Sequence, residues 1–177
     1  RQEMILPRKT VLELNRLLLD NDDALNITLT PNQVRFAFGS VVLVSKLIDG
    51  KFPDYERVIP KGNNKIASVN RKVLHAAVDR VSTISSEKGR ATRLEFGDGK
   101  LLVGMNDSDH GTAAEDIDIT YGADPVTIGI NSKYVMDLLG AFGSEMLDIA
   151  IGDAGSPITV KTSGDPNRVA ILMPMRI

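Results

Sequence analysis

The sequence predicts an α+β fold built from tandem β-α-β-β-β units, and three observations carry that prediction. Three helical segments align at nearly constant spacing: Pro7–Leu18, Asn70–Val81 and Asn131–Phe142, whose first residues stand 63 and 61 positions apart. One extended run precedes each segment and three follow it. A lysine, Lys9, Lys72 or Lys133, recurs at the same place in every copy. Self-similarity of this kind is best sought before any element is assigned, because it governs how the others are read.

Taken in order, the first unit opens with the run Glu3–Leu6, then a helix over residues 8–19. Pro7 suits a first helical turn, where its missing N–H costs nothing. Leu25–Thr30, Gln33–Phe38 and Val41–Leu47 read as strands, with a turn at Thr30-Pro31-Asn32. The second unit has Lys65–Val69, a helix over 71–84 capped by Asn70, then Ala91–Phe96, Lys100–Met105 and Ala113–Ile119. Gly97-Asp98-Gly99 is a strong hairpin signal. The third has Val126–Ile130, a helix over 132–142 capped by Asn131, then Met146–Ile151, Ile158–Thr162 and Val169–Met173. Apolar residues recur at helical spacing behind each cap: Val11, Leu14, Leu18; Val73, Ala77, Val81; Val135, Leu138, Phe142. The turn-rich stretch Pro60-Lys-Gly-Asn-Asn64 places a boundary between residues 1–62 and 63–177. The second and third units then form a complete domain, and the first stands without its pair.

Composition narrows the function. No apolar run approaches the roughly 20 residues needed to cross a bilayer. The chain has no cysteine, which excludes disulfides and Cys-ligated metals and fits a reducing cytosol. Five Phe, three Tyr and no Trp are few for a protein that stacks single-stranded bases. A net charge of −2 gives no global attraction to nucleic acid, yet the charge is unevenly placed. The three helices hold seven basic residues, Arg8, Lys9, Arg16, Arg71, Lys72, Arg80 and Lys133, against Glu13, Asp79 and Asp137. They carry +4 and the remainder −6. A basic helical lining on an acidic protein suits a polyanion held by its phosphates without base readout.

Candidate chemistry is sparse. His75 reads as a packing or surface residue, and His110 in Asn106-Asp-Ser-Asp-His-Gly111 as part of a polar loop. Asp49 and Asp54 bracket a Gly/Pro turn. A carboxylate enzyme on that pair is the weakest reading. Neither a nucleophile elbow nor a phosphate-cradling loop occurs. No catalytic residue, metal ligand or cofactor is expected.

The end of the chain, Arg168-Val-Ala-Ile-Leu-Met-Pro-Met-Arg-Ile177, is apolar almost to the terminus. The last strand is expected to finish at Met173, with Pro174 turning the remainder out of the ladder. This ending, the string Leu47-Ile-Asp-Gly-Lys-Phe-Pro-Asp-Tyr-Glu-Arg-Val-Ile-Pro60, the opening Gln2-Glu-Met-Ile-Leu-Pro-Arg-Lys9 and Ser86-Glu-Lys88 together resemble the bacterial sliding clamps, the β-subunit family of DNA polymerase III. The resemblance runs the length of the chain. It implies the DNA clamp fold, with helices on an inner face and antiparallel sheets outside. Rings of this family contain three similar domains per subunit and two subunits. The chain is then expected to be a fragment, the second half of a middle domain and a complete third one.

The resemblance also implies a non-catalytic, cytoplasmic, nucleoid-associated processivity factor of DNA replication that encircles double-stranded DNA as a homodimer. Its expected partners are the polymerase III alpha subunit, the clamp loader, translesion polymerases and repair proteins, with no membrane. They would dock a short peptide with Gln and Leu/Phe anchors in a groove of Pro53, Arg57, Val58, Asn131, Tyr134, Pro157, Ile171, Met173, Pro174, Met175, Arg176 and Ile177. DNA would face Arg8, Lys9, Arg16, Arg71, Lys72, Arg80 and Lys133, and the ring interface would include Arg80, Thr83, Ile84 and Ser85. Against this stands a peptide-binding, β-rich scaffold that does not touch DNA.

Overall fold

The computed structural model describes residues 3–18, 23–52, 54–85, 91–162 and 165–177. Leu19, Pro53 and Ser86–Lys88, each part of an expectation from the sequence, lie outside the described residues. The chain divides into two units, Arg1–Asp54 and Tyr55–Ile177.

In the first unit, helix α1 (Arg8–Leu18) precedes β1 (Asn26–Leu29), β2 (Gln33–Phe38) and β3 (Val41–Lys46). These strands form one antiparallel sheet in the order β1-β2-β3. The Pro7 carbonyl accepts the amides of Thr10 (2.9 Å) and Val11 (3.2 Å), starting α1. A Thr10–Ser45 hydroxyl contact of 2.7 Å joins the helix to β3. Val34, Phe36 and Phe38 alternate into the core from β2. The expected strand at Glu3–Leu6 does not form. One bond, Ile48 N–H to the Ile5 carbonyl at 3.0 Å, stands in place of a ladder. In the second unit each such leading strand pairs with a strand of its sister repeat.

That unit begins with a short 3-10 turn at Tyr55–Val58, then β4 (Lys65–Asn70), α2 (Arg71–Ser82), β5 (Ala91–Gly97), β6 (Lys100–Asp107) and β7 (Gly111–Asp118). There follow β8 (Thr120–Tyr121), β9 (Val126–Asn131), α3 (Ser132–Ala141), β10 (Met146–Ile151), β11 (Ile158–Thr162) and β12 (Asp165–Leu172). One sheet runs β12-β11-β10-β4-β8 and the other β7-β6-β5-β9. The two repeats exchange their leading strands: β4 pairs with β10, and β9 pairs with β5. The exchange is matched residue for residue. Asn70 lies opposite Met146, and Asn131 lies opposite Ala91. Both asparagines then cap their helices, Asn70 Oδ1 accepting the Lys72 and Val73 amides and Asn131 Oδ1 those of Lys133 and Tyr134.

Helices α2 and α3 pack together, and the core gathers Leu74, Ala77, Val78, Val81, Val135, Leu138, Leu139 and Phe142 with residues of both sheets. Val73 and Val11, expected on the buried stripe, are exposed. With 3.6 residues per turn, the stripe of α2 starts one residue later, at Leu74. That helix ends at Ser82, where i→i+3 bonds from Thr83 and Ser85 tighten the chain. The hairpin at Gly97–Lys100 has positive φ at Asp98 (49°) and Gly99 (73°), a two-residue loop of the type the sequence announced. The run after β7 switches sheets, because β8 pairs with β4. The polar stretch at Pro60–Asn64 belongs with the second unit. Asn63 Nδ2 donates to the Ala150 and Pro157 carbonyls, each at 2.9 Å, and so fixes the stretch to the β10–β11 hairpin.

Candidate functional site

Two features bear on the sites expected from the sequence: the chain end and the basic helices. The strand β12 stops at Leu172, and Pro174, which has no N–H, turns the chain away from it. Past that turn the tail meets the other sheet. Met175 returns as an antiparallel bridge, its N–H donating to the Gly129 carbonyl at 2.7 Å. The tail therefore spans the outermost strands of the two sheets, β12 and β9. It does not plug the core: Met173 and Ile177 are 67% and 65% exposed.

Beside the tail lies a cleft of about 610 Å³ lined by Thr127, Gly129, Ala154, Gly155, Met173, Pro174, Met175, Arg176 and Ile177. The five terminal residues therefore share one wall. Asn131, Tyr134, Pro157, Ile171, Arg57 and Val58 are not among its walls. Tyr134 is exposed on the first turn of α3, and Asn131 is engaged as that helix's cap. The Pro157 carbonyl is occupied by Asn63, Ile171 pairs with Thr159 inside the sheet, and Arg57 and Val58 sit on the 3-10 turn.

Sequence reasoning missed four wall residues. Ala154 and Gly155 stand in a loop shaped by Asp153, whose carboxylate accepts the Ser156 hydroxyl (2.8 Å) and the Gly155 and Ser156 amides (2.8 and 2.7 Å). The bond from the Ser156 hydroxyl, then those amides, hold the Asp153 carboxyl below the usual range. Thr127 and Gly129 alternate on the edge strand β9. Gly129 did carry a signal: a glycine inside the β-branched run Val126-Thr-Ile-Gly-Ile130 marks a place where another backbone comes close.

The basic residues divide into engaged and exposed. Arg80 Nε donates to Glu115 Oε2 on β7 at 2.9 Å; its hydrogen bonds hold the Glu115 carboxyl below the usual range and Glu115 raises Arg80 in turn. Arg16 pairs with Glu13. Arg71 is half-buried, and its guanidinium donates to the Leu139 carbonyl (3.1 Å) in the last turn of α3, where a cation matches the helix dipole, and to the Ser144 carbonyl (2.9 Å) just before β10. Arg8, Lys9, Lys72 and Lys133 are exposed on their helices. Thr83, Ile84 and Ser85 follow α2 directly, Thr83 Oγ1 donating to the Arg80 carbonyl at 2.7 Å. His75 is half-buried on α2. In the β6–β7 turn, buried Asp107 accepts at Oδ1 the amides of Asp109 (2.9 Å) and His110 (3.1 Å), with His110 Nδ1 at 3.0 Å. That carboxylate organises a turn.

Comparison with known families places this architecture. The model described as DNA polymerase III beta subunit, C-terminal domain, matches residues 56–176, and that for the central domain matches residues 1–54. The chain belongs to the DNA polymerase III beta-subunit family. Within this family, the Beta sliding clamp of Caulobacter vibrioides is 37% identical over 98% of the chain and 47% of that relative. The Beta sliding clamp of Pseudomonas putida is 37% identical over the whole chain and 48% of its own length. Among solved structures, a Bartonella birtlesii DnaN sliding clamp bound to griselimycin superposes with a TM-score of 0.94 at 42% identity, over 98% of this chain and 47% of that one. The fold is the α+β clamp fold. This member of the beta-subunit family spans about half the length of the curated relatives it matches.

Proposed function

We propose that this chain is the second half of the middle domain and the complete third domain of a sliding clamp. The whole subunit would close head-to-tail with a second copy around double-stranded DNA in the bacterial cytoplasm and nucleoid. There it would tether DNA polymerase III for processive synthesis, without an active site or cofactor of its own. The observation that carries this reading is the lysine at one repeat position of all three helices, exposed each time. Together with Arg8, these lysines meet phosphates without reading bases, so DNA is held yet free to slide. Arg80, Thr83, Ile84 and Ser85 would form one ring edge. The cleft at residues 173–177 would dock a short peptide shared by the polymerase III alpha subunit, the clamp loader, translesion polymerases and repair proteins, with two methionines adapting to different ligands.

The test is retention of the full-length protein on closed circular DNA after loading. Retention should vanish when the circle is cut, and Lys9, Lys72 and Lys133→Glu together should shorten it on every sequence alike. Equal retention by the substituted protein at low salt would overturn the helical DNA face. A protein that binds the peptide but is never retained would be the scaffold instead.

A further inference from the structure

We infer that Gly129 is the positioning residue that seats the chain end and thereby gives the docking cleft its shape. The inference rests on the proposed docking role of that cleft.

Gly129 lies on β9, the outermost strand of its sheet, between Ile128 and Ile130, which point into the core. Any side chain at 129 would therefore project to the opposite face. There the tail crosses. A Cβ built on Gly129 would overlap Ile177 Cγ2, lie 2.8 Å from the Met175 carbonyl oxygen and lie 3.4 Å from Ile177 Cβ. Real Cβ atoms do not approach backbone oxygen so closely, and the Met175 oxygen cannot yield without its residue moving. That movement would break the Met175 N–H bond to the Gly129 carbonyl, since both contacts join the same two residues. Gly129 is not among the residues with positive φ, so its own backbone would accept alanine. The requirement for glycine comes wholly from the tail.

Seating the tail has a second effect. Ile177 lines both the 610 Å³ cleft and another of about 520 Å³ over β5, β6 and β7, where Arg93 and Glu95 form an ion pair. It is the partition between them. If the tail lifts, the wall made by Met175, Arg176 and Ile177 is lost and the two clefts merge.

The experiment compares Gly129→Ala with wild type in the full-length protein. It reads amide exchange at Met175 and release of the last residues by a carboxypeptidase. Exchange at Met175 should rise about tenfold or more, as expected for loss of its one acceptor, and the tail should become digestible. Amides of β5 opposite β9, at Thr92 and Leu94, should stay protected. In a second pair of variants, residues 174–177 are removed before the substitution is made. Gly129→Ala should then leave the melting temperature unchanged. Unchanged Met175 protection in the intact protein would overturn the inference, as would an equal loss of stability with and without the tail. Affinity for a Gln-x-Leu-x-Phe peptide is measured separately. If the tail is freed while the peptide binds as before, the seating stands and the docking role of the cleft fails.

Discussion

Arg80 on α2 and Glu115 on β7 form a two-toothed ion pair, with Nε to Oε2 at 2.9 Å and the second nitrogen on the other carboxylate oxygen. The pair links the second helix to the outermost strand of the β7-β6-β5-β9 sheet. Because Glu115 titrates lower in the fold than in the open chain, the pair stabilises the fold above the open-chain value. That contribution fades as pH falls through the depressed one. Arg80→Gln should therefore shift the Glu115 carboxyl midpoint upward in an NMR titration. A midpoint that stays put would mean that the two side chains do not meet in solution.

The same pairing orders variants at the proposed DNA face. Arg80 already spends its charge on Glu115, whereas Lys9, Lys72 and Lys133 are exposed. Charge reversal at any of the three lysines should shorten residence on circular DNA more than Arg80→Gln does. If the lysines meet phosphates as proposed, the salt dependence of retention should flatten as each of these charges is removed.

Arg71 should behave differently from its basic neighbours. Its guanidinium holds two carbonyls, one in the last turn of α3 and one just before β10, and hydrogen bonds from charged donors contribute about 1.5–3 kcal/mol each where they are shielded. Half-buried as it is, Arg71→Ala should lower the melting temperature. Lys72→Ala, one residue on, should leave it nearly unchanged. Equal melts for the two would argue against the α3 contact.

Asn63→Ala removes both bonds to the β10–β11 hairpin and leaves the Ala150 and Pro157 carbonyls without that donor. A loss of about 1–3 kcal/mol in unfolding free energy is expected from two such bonds, read by denaturant titration. Gly152 faces the Asn63 side-chain oxygen so closely that a Cβ there would sit 2.8 Å from it, so Gly152→Ala should mimic the defect in part.

Removing residues 174–177 should abolish peptide binding while costing only about 0.5–1.5 kcal/mol of stability, the net worth of the one backbone bond to Gly129. Met175 and Ile177 are too exposed for their loss to open a cavity. Affinity and melting temperature measured on one sample decide the matter. A collapsed melt would mean that the tail belongs to the core.

What could be read from residues alone was whatever depends on neighbours in sequence. Asn70 and Asn131 announce their helices because a side-chain oxygen two or three residues ahead of free amides has few other uses. Gly97-Asp98-Gly99 announces its hairpin because positive φ is cheap there. Partnerships between distant segments carried no such mark. Nothing in Lys65–Asn70 names Met146–Ile151 as its partner, and nothing in Arg80 names Glu115. The terminal residues line one cleft, whose facing wall at Thr127, Ala154 and Gly155 left no mark in the sequence, since small residues owe their place to the space they leave.

The exchange of leading strands sets an order for the birth of the second unit. During synthesis β4 and α2 leave the ribosome early, but β4 has no long partner until β10 appears, 76 to 86 residues later by the registers of Asn70 with Met146 and Lys65 with Ile151. Its other neighbour among the described residues, β8, offers two residues. Each repeat thus waits for the other, and neither makes a stable half. Such distant pairing slows folding and leaves an unfilled edge on the nascent chain. A ribosome paused before Met146 would hold a strand still open to a stranger.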